Sequence, residues 1–210
     1  MKNRGKLTPE QIVESALALL DEFGEADFSM RKLASLLNVD PMAIYYHFSN
    51  KAELLHRVMQ EMMMQCEIPV LCNDWQKDIL NLCNSLRKLA KSHPGSFQVY
   101  ETYNHWLPAE HRLHEAFHLV LLKAGFSKVS TVRGAGVLLA YTEAHVIDEI
   151  AGWLVPRDRD ELQVSLEAGE YPTLVSLVKE ITSNDPEADF RFGLNLIIAG
   201  LETELKGAAN

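Results

Sequence analysis

The sequence predicts an all-α fold, and three observations predict it. Apolar residues recur at helical spacing in almost every segment, Ser, Thr, Asp or Asn caps precede the stripes while Gly or Pro follows them, and strand signals are nearly absent. About nine or ten helices are expected.

The first stripe follows Thr8-Pro9-Glu10-Gln11, a capping box with Pro at the first helical position; Ile12, Ala16, Leu17, Leu20 and Phe23 share one face before Gly24 ends the helix. Ser29 caps a second helix whose Leu33, Ala34 and Leu37 point inward. Asn38 suits the left-handed backbone of a tight helix-helix turn, Asp40 caps a third helix, and Pro41 occupies its first position. At 100° per residue Ile44 and Phe48 lie inward, Met42 and Tyr46 lie outward, and Ala43, Tyr45 and His47 flank them. Two tyrosines, a histidine and a methionine are a poor solvent face for a short helix. They suit a DNA groove, with rings on sugars and thymine methyls and polar tips toward phosphates or base edges. Asn50 then caps a longer helix, with Glu53 completing a capping box and Lys51 at the first position, where ammonium and helix dipole together favour a phosphate.

Residues 8–51 resemble the DNA-binding domain of the tetracycline repressor (TetR) family: Leu19-Leu20-Asp21-Glu22-Phe23-Gly24, Ser29-Met30-Arg31-Lys32-Leu33-Ala34 and Ile44-Tyr45-Tyr46-His47-Phe48-Ser49-Asn50-Lys51 appear in order. Carried over residue by residue, the resemblance implies DNA contacts from Ser29, Arg31, Pro41, Met42, Ala43, Tyr45, Tyr46, His47 and Lys51. It implies a DNA-binding domain at residues 1–53, with the helix-turn-helix at about 29–48, and a ligand-binding and dimerisation domain at 54–210.

Downstream, the helix after Asn50 carries Leu54, Leu55, Val58, Met59, Met62 and Met63, and physically joins the reading head to the rest. Asp74 caps another helix, lined by Trp75, Ile79, Leu82, Cys83, Leu86, Leu89 and Ala90 and ended by Ser92-His93-Pro94-Gly95. An aromatic segment (Phe97, Tyr100, Tyr103, His105, Trp106) precedes a helix bearing Leu113, Phe117, Val120 and Leu121 and closed by Gly125. The charge run at 156–161, leading to Gly169-Glu170-Tyr171-Pro172, reads as a solvated connection. On either side of it lie two unusual helices. Residues 131–151 carry a stripe of small apolar groups, and residues 190–201 are apolar nearly all round, so that helix needs cover from its own core and from a partner. Residues 189–202 resemble the closing helix of the tetracycline repressor, and in that family these two helices form a four-helix dimer bundle. The implied interface is Gly136, Ala140, Ala144, Ile147, Ala151, Gly193, Ile197, Gly200 and Leu201.

Composition bounds the rest. A net charge of −9 looks wrong for a DNA binder until it is divided: residues 1–51 hold six Lys or Arg against seven Asp or Glu, so −8 of the charge lies downstream. The arm at 1–6 has three cations and no acid. So few phosphate-pairing charges make affinity dependent on two reading heads acting together. No apolar run approaches the ~20 residues of a membrane helix and no signal-peptide core is present, so a cytoplasmic protein without membrane contact is expected.

Tyr100, Tyr103, His105, Trp106, Phe117, Tyr141, His145 and Glu149, aromatic groups with a few polar anchors, are the candidate ligand pocket; their alternative is an ordinary aromatic core. Where the tetracycline repressor places a histidine, this stretch has Tyr100, so the implied ligand is a small hydrophobic or aromatic molecule other than tetracycline. The expected function is a homodimeric regulator, a repressor released from a palindromic operator by that ligand, with no cofactor. The rivals are a metal sensor through His111, His114 and His118, a redox sensor through Cys66 and Cys72, and an architectural DNA binder that senses nothing. No nucleophile elbow, phosphate loop, His-Glu-x-x-His or catalytic carboxylate pair is found, which argues against an enzyme.

Overall fold

The computed structural model describes residues 7–102, 107–154, 158–183 and 185–207. Among these residues there are twelve helices and no strand. The chain divides into two compact units, residues 1–135 and 136–210.

The first unit contains α1 (Pro9–Phe23), α2 (Met30–Leu37), α3 (Pro41–Tyr45), α4 (Lys51–Met64), α5 (Trp75–Ser92), α6 (Pro94–Thr102), α7 (Glu110–Ala124) and the start of α8 (Lys128–Ile150). The local signals behave as their chemistry demands. Thr8 and Gln11 form the reciprocal capping box of α1, and Gly24, at φ 71°, returns its N–H to the Leu20 carbonyl at 2.8 Å. Asn38 takes the left-handed conformation (φ 54°, ψ 46°) between α2 and α3, and Asp40 accepts from the Met42 N–H at 2.8 Å. Asp74 caps α5 through the Lys77 N–H at 3.2 Å, while Gly125 at φ 101° closes α7.

Ile12, Ala16 and Leu20 of α1 are fully buried, and α1 packs against α2, α4 and α6 at once. Leu54, Leu55, Val58, Met59, Met62 and Met63 of α4 are all buried too, so these three methionines belong to a packed seam, while Met64 is exposed. Burial also pushes the Cys66 thiol up to about 11, against what a reactive thiolate needs, and Cys83 is buried while Cys72 is exposed.

The second unit holds most of α8, then α9 (Arg159–Ala168), α10 (Pro172–Ser176), α11 (Val178–Ile181) and α12 (Pro186–Gly207). The charge run differs from its expectation as a solvated connection. Asp158 accepts from the Glu161 N–H at 2.9 Å and starts α9, and Asp160 and Glu161 sit in the first turn, where acidic groups complement the helix dipole. α10 and α11 follow, and these short helices account for the count above nine or ten. Pro156 and Arg157 lie outside the described residues. Across the unit, Tyr141 of α8 donates to the Asp189 and Phe190 carbonyls, both at 3.1 Å, and His145 Nε2 lies 3.2 Å from the Pro186 carbonyl. Advancing along α8 thus meets earlier residues of α12, so the two helices run antiparallel.

The start of α4 differs in detail from a capping box. Asn50 accepts from the Glu53 N–H at 2.8 Å, but Glu53 reaches past it to the Ser49 N–H at 2.8 Å and to the Ser49 hydroxyl. Those hydrogen bonds, the hydroxyl first, hold the exposed Glu53 carboxyl below the ordinary range. A depressed carboxylate stabilises the fold above its unfolded pKa and loses that contribution as pH falls through its folded value. Glu53→Gln should therefore be less stable than wild type at pH 7, with the difference closing below about pH 4; urea denaturation of both proteins across that range reads the effect.

Candidate nucleic-acid interface

Helix α3 is anchored from beneath by Ile44, with no exposed surface, and by Phe48, 6% exposed. Its hydrogen bonds continue past Tyr45, from the Tyr46 N–H to the Met42 carbonyl and from the Phe48 N–H to the Ile44 carbonyl, both at 3.0 Å, so residues 46–48 keep the helical course. The opposite face is bare. Met42 is 71% and Tyr46 77% exposed, Tyr45 is exposed as well, and the Tyr46 and His47 rings meet edge to face at 5.1 Å. Pro41, Ala43 and His47 are half-buried along its sides. An aromatic ridge in this position has no packing partner within the unit described, which is the geometry a groove-reading surface requires.

Around the ridge the polar groups are already engaged. The Ser29 hydroxyl caps α2 through the Lys32 N–H at 3.1 Å, so its contact role is limited to the hydroxyl's remaining capacity; Arg31 is exposed. Lys51 Nζ lies 3.4 Å from Glu25 and 5.4 Å above the Phe28 ring. Lys32, not among the expected contacts, holds its ammonium 3.7 Å over the Phe23 ring. The Lys51–Glu25 pair is solvent-exposed and hence weak, so a phosphate at the α4 N-terminus competes for Lys51 at little cost. Neither neighbour of Lys51 was readable locally, because Glu25 and Phe28 lie more than twenty residues away in sequence.

The candidate pocket residues fall in different places. Tyr100 (4% exposed) and Phe117 (fully buried) belong to the core of the first unit, with Tyr100 against Phe97 at 5.3 Å. Tyr141 stacks on Phe190 at 5.9 Å and meets His145 at a tilt at 5.7 Å in the second unit, and Glu149 is half-buried on the same helix. Tyr103, His105 and Trp106 lie outside the described residues. His118 Nδ1 bonds the His114 carbonyl at 2.6 Å and their rings stack at 6.3 Å. Among the described residues no group of three or more His, Cys, Asp or Glu is placed to hold a metal.

The small-residue face of α8 is exposed at Gly136, Ala140, Ala144 and Ala151 and half-buried at Ile147, with Val137 53% exposed beside it. On α12, Phe190, Leu194 and Ile198 are buried while Phe192, Leu196, Ala199 and Gly200 face solvent, and Ile197 and Leu201 are half-buried. A methyl group at Gly136 or Gly200 would meet nothing, whereas one at Gly193 would overlap the Tyr141 ring, giving Gly193 a role inside the unit.

A helix-turn-helix with an outward aromatic ridge, carried on an all-helical body, defines a DNA-binding transcriptional regulator. Residues 12–58 match the model of bacterial regulatory proteins of the tetR family, and residues 68–205 match the tetracyclin repressor-like C-terminal domain. The chain belongs to the TetR family. It is 28% identical over 200 residues to the class A tetracycline repressor protein from transposon 1721 of Escherichia coli, covering 93% of this chain and 91% of that protein. The Streptomyces coelicolor TetR family protein ActR, solved in complex with actinorhodin, superposes with a TM-score of 0.80 at 28% identity, covering 96% of this chain and 99% of ActR. Its apo form gives 0.80 at 29% identity, covering 98% of each chain. Among the described residues no helix is long and apolar enough to cross a membrane.

Tyr46→Ala and Lys51→Ala should both weaken DNA binding with little change in melting temperature, since Tyr46 supports no core and the Lys51 pair is exposed. They should differ in kind. Lys51→Ala lowers affinity on every sequence and the salt slope by about one unit per protomer, whereas Tyr46→Ala erodes the ratio of specific to nonspecific affinity. Titration of specific and random duplexes at several salt concentrations separates the two.

Proposed function

We propose that this regulator is a homodimeric repressor that occupies a palindromic operator and leaves it when a small hydrophobic or aromatic molecule binds. The observation that carries the reading is the bare outward face of α3, where Met42, Tyr45 and Tyr46 are exposed above a helix anchored by the buried Ile44 and Phe48. On this reading residues 1–53 read DNA, by Ser29, Arg31, Pro41, Met42, Ala43, Tyr45, Tyr46, His47 and Lys51, while residues 54–210 dimerise and bind the ligand. On this reading the protein acts in the cytoplasm.

Two features support the finer parts. The exposed apolar stripes of α8 and α12 are larger than scattered surface apolar groups and fit burial against a second copy. A palindromic operator read in successive major grooves on one face of DNA needs two α3 helices roughly 34 Å apart, which a two-fold dimer can supply. The complex of ActR with actinorhodin supports a small-molecule effector. Footprinting on the gene's own upstream DNA tests the operator: protection of a palindrome is expected, and protection of no sequence over random DNA removes the repressor reading.

Ala144→Arg is the sharpest test of the dimer. Ala144 is exposed within its own protomer, so the fold tolerates arginine there, but a dimer seam would bury an unpaired ion at a cost of several kcal/mol. Soluble monomers with weakened operator binding are expected by sedimentation; an unchanged dimer places the interface elsewhere. For the effector, a panel of aromatic and apolar compounds should contain one that raises the melting temperature and releases operator DNA together, because a ligand favouring one conformation does both by linkage. A panel in which no compound does either leaves a regulator that does not sense these molecules.

A further inference from the structure

We propose that Asp21 is a positioning residue for operator binding, fixing the reading head to the elbow between α5 and α6. The end of α5 and the start of α6 meet on its carboxylate, and the end of α4 joins them through His93. Asp21 Oδ1 accepts from the Ser96 N–H at 3.0 Å, in the first turn of α6, and Oδ2 lies 2.7 Å from His93 Nδ1, at the end of α5. A carboxylate only accepts, so His93 Nδ1 carries the proton in this contact. The other ring nitrogen, Nε2, lies 3.2 Å from Oε1 of Gln65, the residue that ends α4. Beside them the Ser96 hydroxyl, in a fully buried residue, donates to the Leu17 carbonyl of α1 at 3.4 Å.

What makes this a joint rather than a set of surface contacts is the approach of the two backbones. Gly95 sits so close to the last turn of α1 that a methyl group there would overlap the Leu20 carbonyl. The Asp21 and His93 side chains are only 19% and 17% exposed, so their bond is poorly screened. With no side chain between the backbones and hydrogen bonds on both flanks, the elbow cannot slide along α1 without breaking them. A displacement of α6 therefore moves α1, and α1 carries α2 and α3. Gln65 ties the end of α4 into the same point, so the long helix and the elbow act on the head together.

The test needs a readout that mere loss of stability does not give. Spin labels at Ser35→Cys on α2 and Asn81→Cys on α5, both exposed, in a Cys72→Ser background and diluted with unlabelled protein, report head against body without DNA; Cys66 and Cys83 are buried and stay unlabelled. A narrow distance distribution is expected for the otherwise unaltered protein, and a broadened or shifted one for Asp21→Ala and His93→Ala. Asp21→Asn should restore the narrow form, because its amide still accepts from Ser96 and can donate to His93 Nδ1 while Nε2–H faces Gln65. An unchanged distribution in both alanine variants overturns the joint. The second arm rests on the repressor reading above: Asp21→Ala should lose about tenfold on a two-half-site operator and nothing on a single half-site duplex. Equal losses on both overturn the proposal, since they place Asp21 in the head's own fold. Wild-type protein without operator preference removes the repressor reading instead, and the distances then decide the joint alone.

Discussion

The burial of α1 is the constraint on which the first unit depends. Ile12, Ala16 and Leu20 have no exposed surface, and the helix meets α2, α4 and α6 simultaneously. Each such side chain contributes roughly 1.5–3 kcal/mol when fully buried, apart from alanine. No single partner of α1 can shift without opening this shared core. The reading helix is consequently not a free appendage: α3 hangs from α2 by a three-residue turn, and α2 is packed on α1.

The division of labour on α3 follows from its shortness. Two buried residues, Ile44 and Phe48, fix its height, and the Asn38 turn and Asp40 cap fix its direction. Its outward face is left bare for recognition, with Pro41, Ala43 and His47 half-buried at the sides. A longer helix would need more anchors and would leave fewer outward positions, whereas this one exposes Met42, Tyr45 and Tyr46 within five residues. Its orientation is set by its ends, so changes at the turn act on direction and changes on the ridge act on contact.

Local chemistry was legible in the sequence and distant pairing was not. The caps of α1, α2, α3 and α5, the left-handed Asn38 and most of the inward faces of the first four helices follow from residues within four positions of each other, and the structure shows them; Phe23, 43% exposed, and Leu37, half-buried, depart from the expected inward faces. Asp158-x-x-Glu161 carried the same kind of capping signal, but the surrounding charges masked it as a solvated connection; the acids are favourable there because they lie at a helix N-terminus. The Glu25 partner of Lys51 and the Asp21–His93 contact, seventy-two residues apart, could not be read from spacing. Glu53 shows the limit in miniature: the right residue was chosen for capping, yet it bonds Ser49 rather than Asn50. For the pocket, residue type alone drew together Tyr100 and Phe117, buried in the first unit, with Tyr141 and His145, half-buried in the second.

Charge explains why a small rotation of the head would matter to such a protein. The N-terminal 51 residues have nearly balanced charge and the chain as a whole carries −9, so nonspecific attraction to phosphates is modest. Lys32 and Lys51 are moreover held over Phe23 and Phe28, which restrains these two ammonium groups. With a weak sequence-independent term, most of the operator affinity of the proposed dimer comes from both ridges fitting their grooves at once. Misplacing one head then forfeits close to half of the contacts and leaves little background binding to hold the protein in place. A strongly basic head would tolerate the same displacement and stay bound nearby. The acidity of the chain and the close-packed backbones at Leu20 and Gly95 thus serve the same end, since one makes binding sensitive to geometry and the other keeps that geometry fixed.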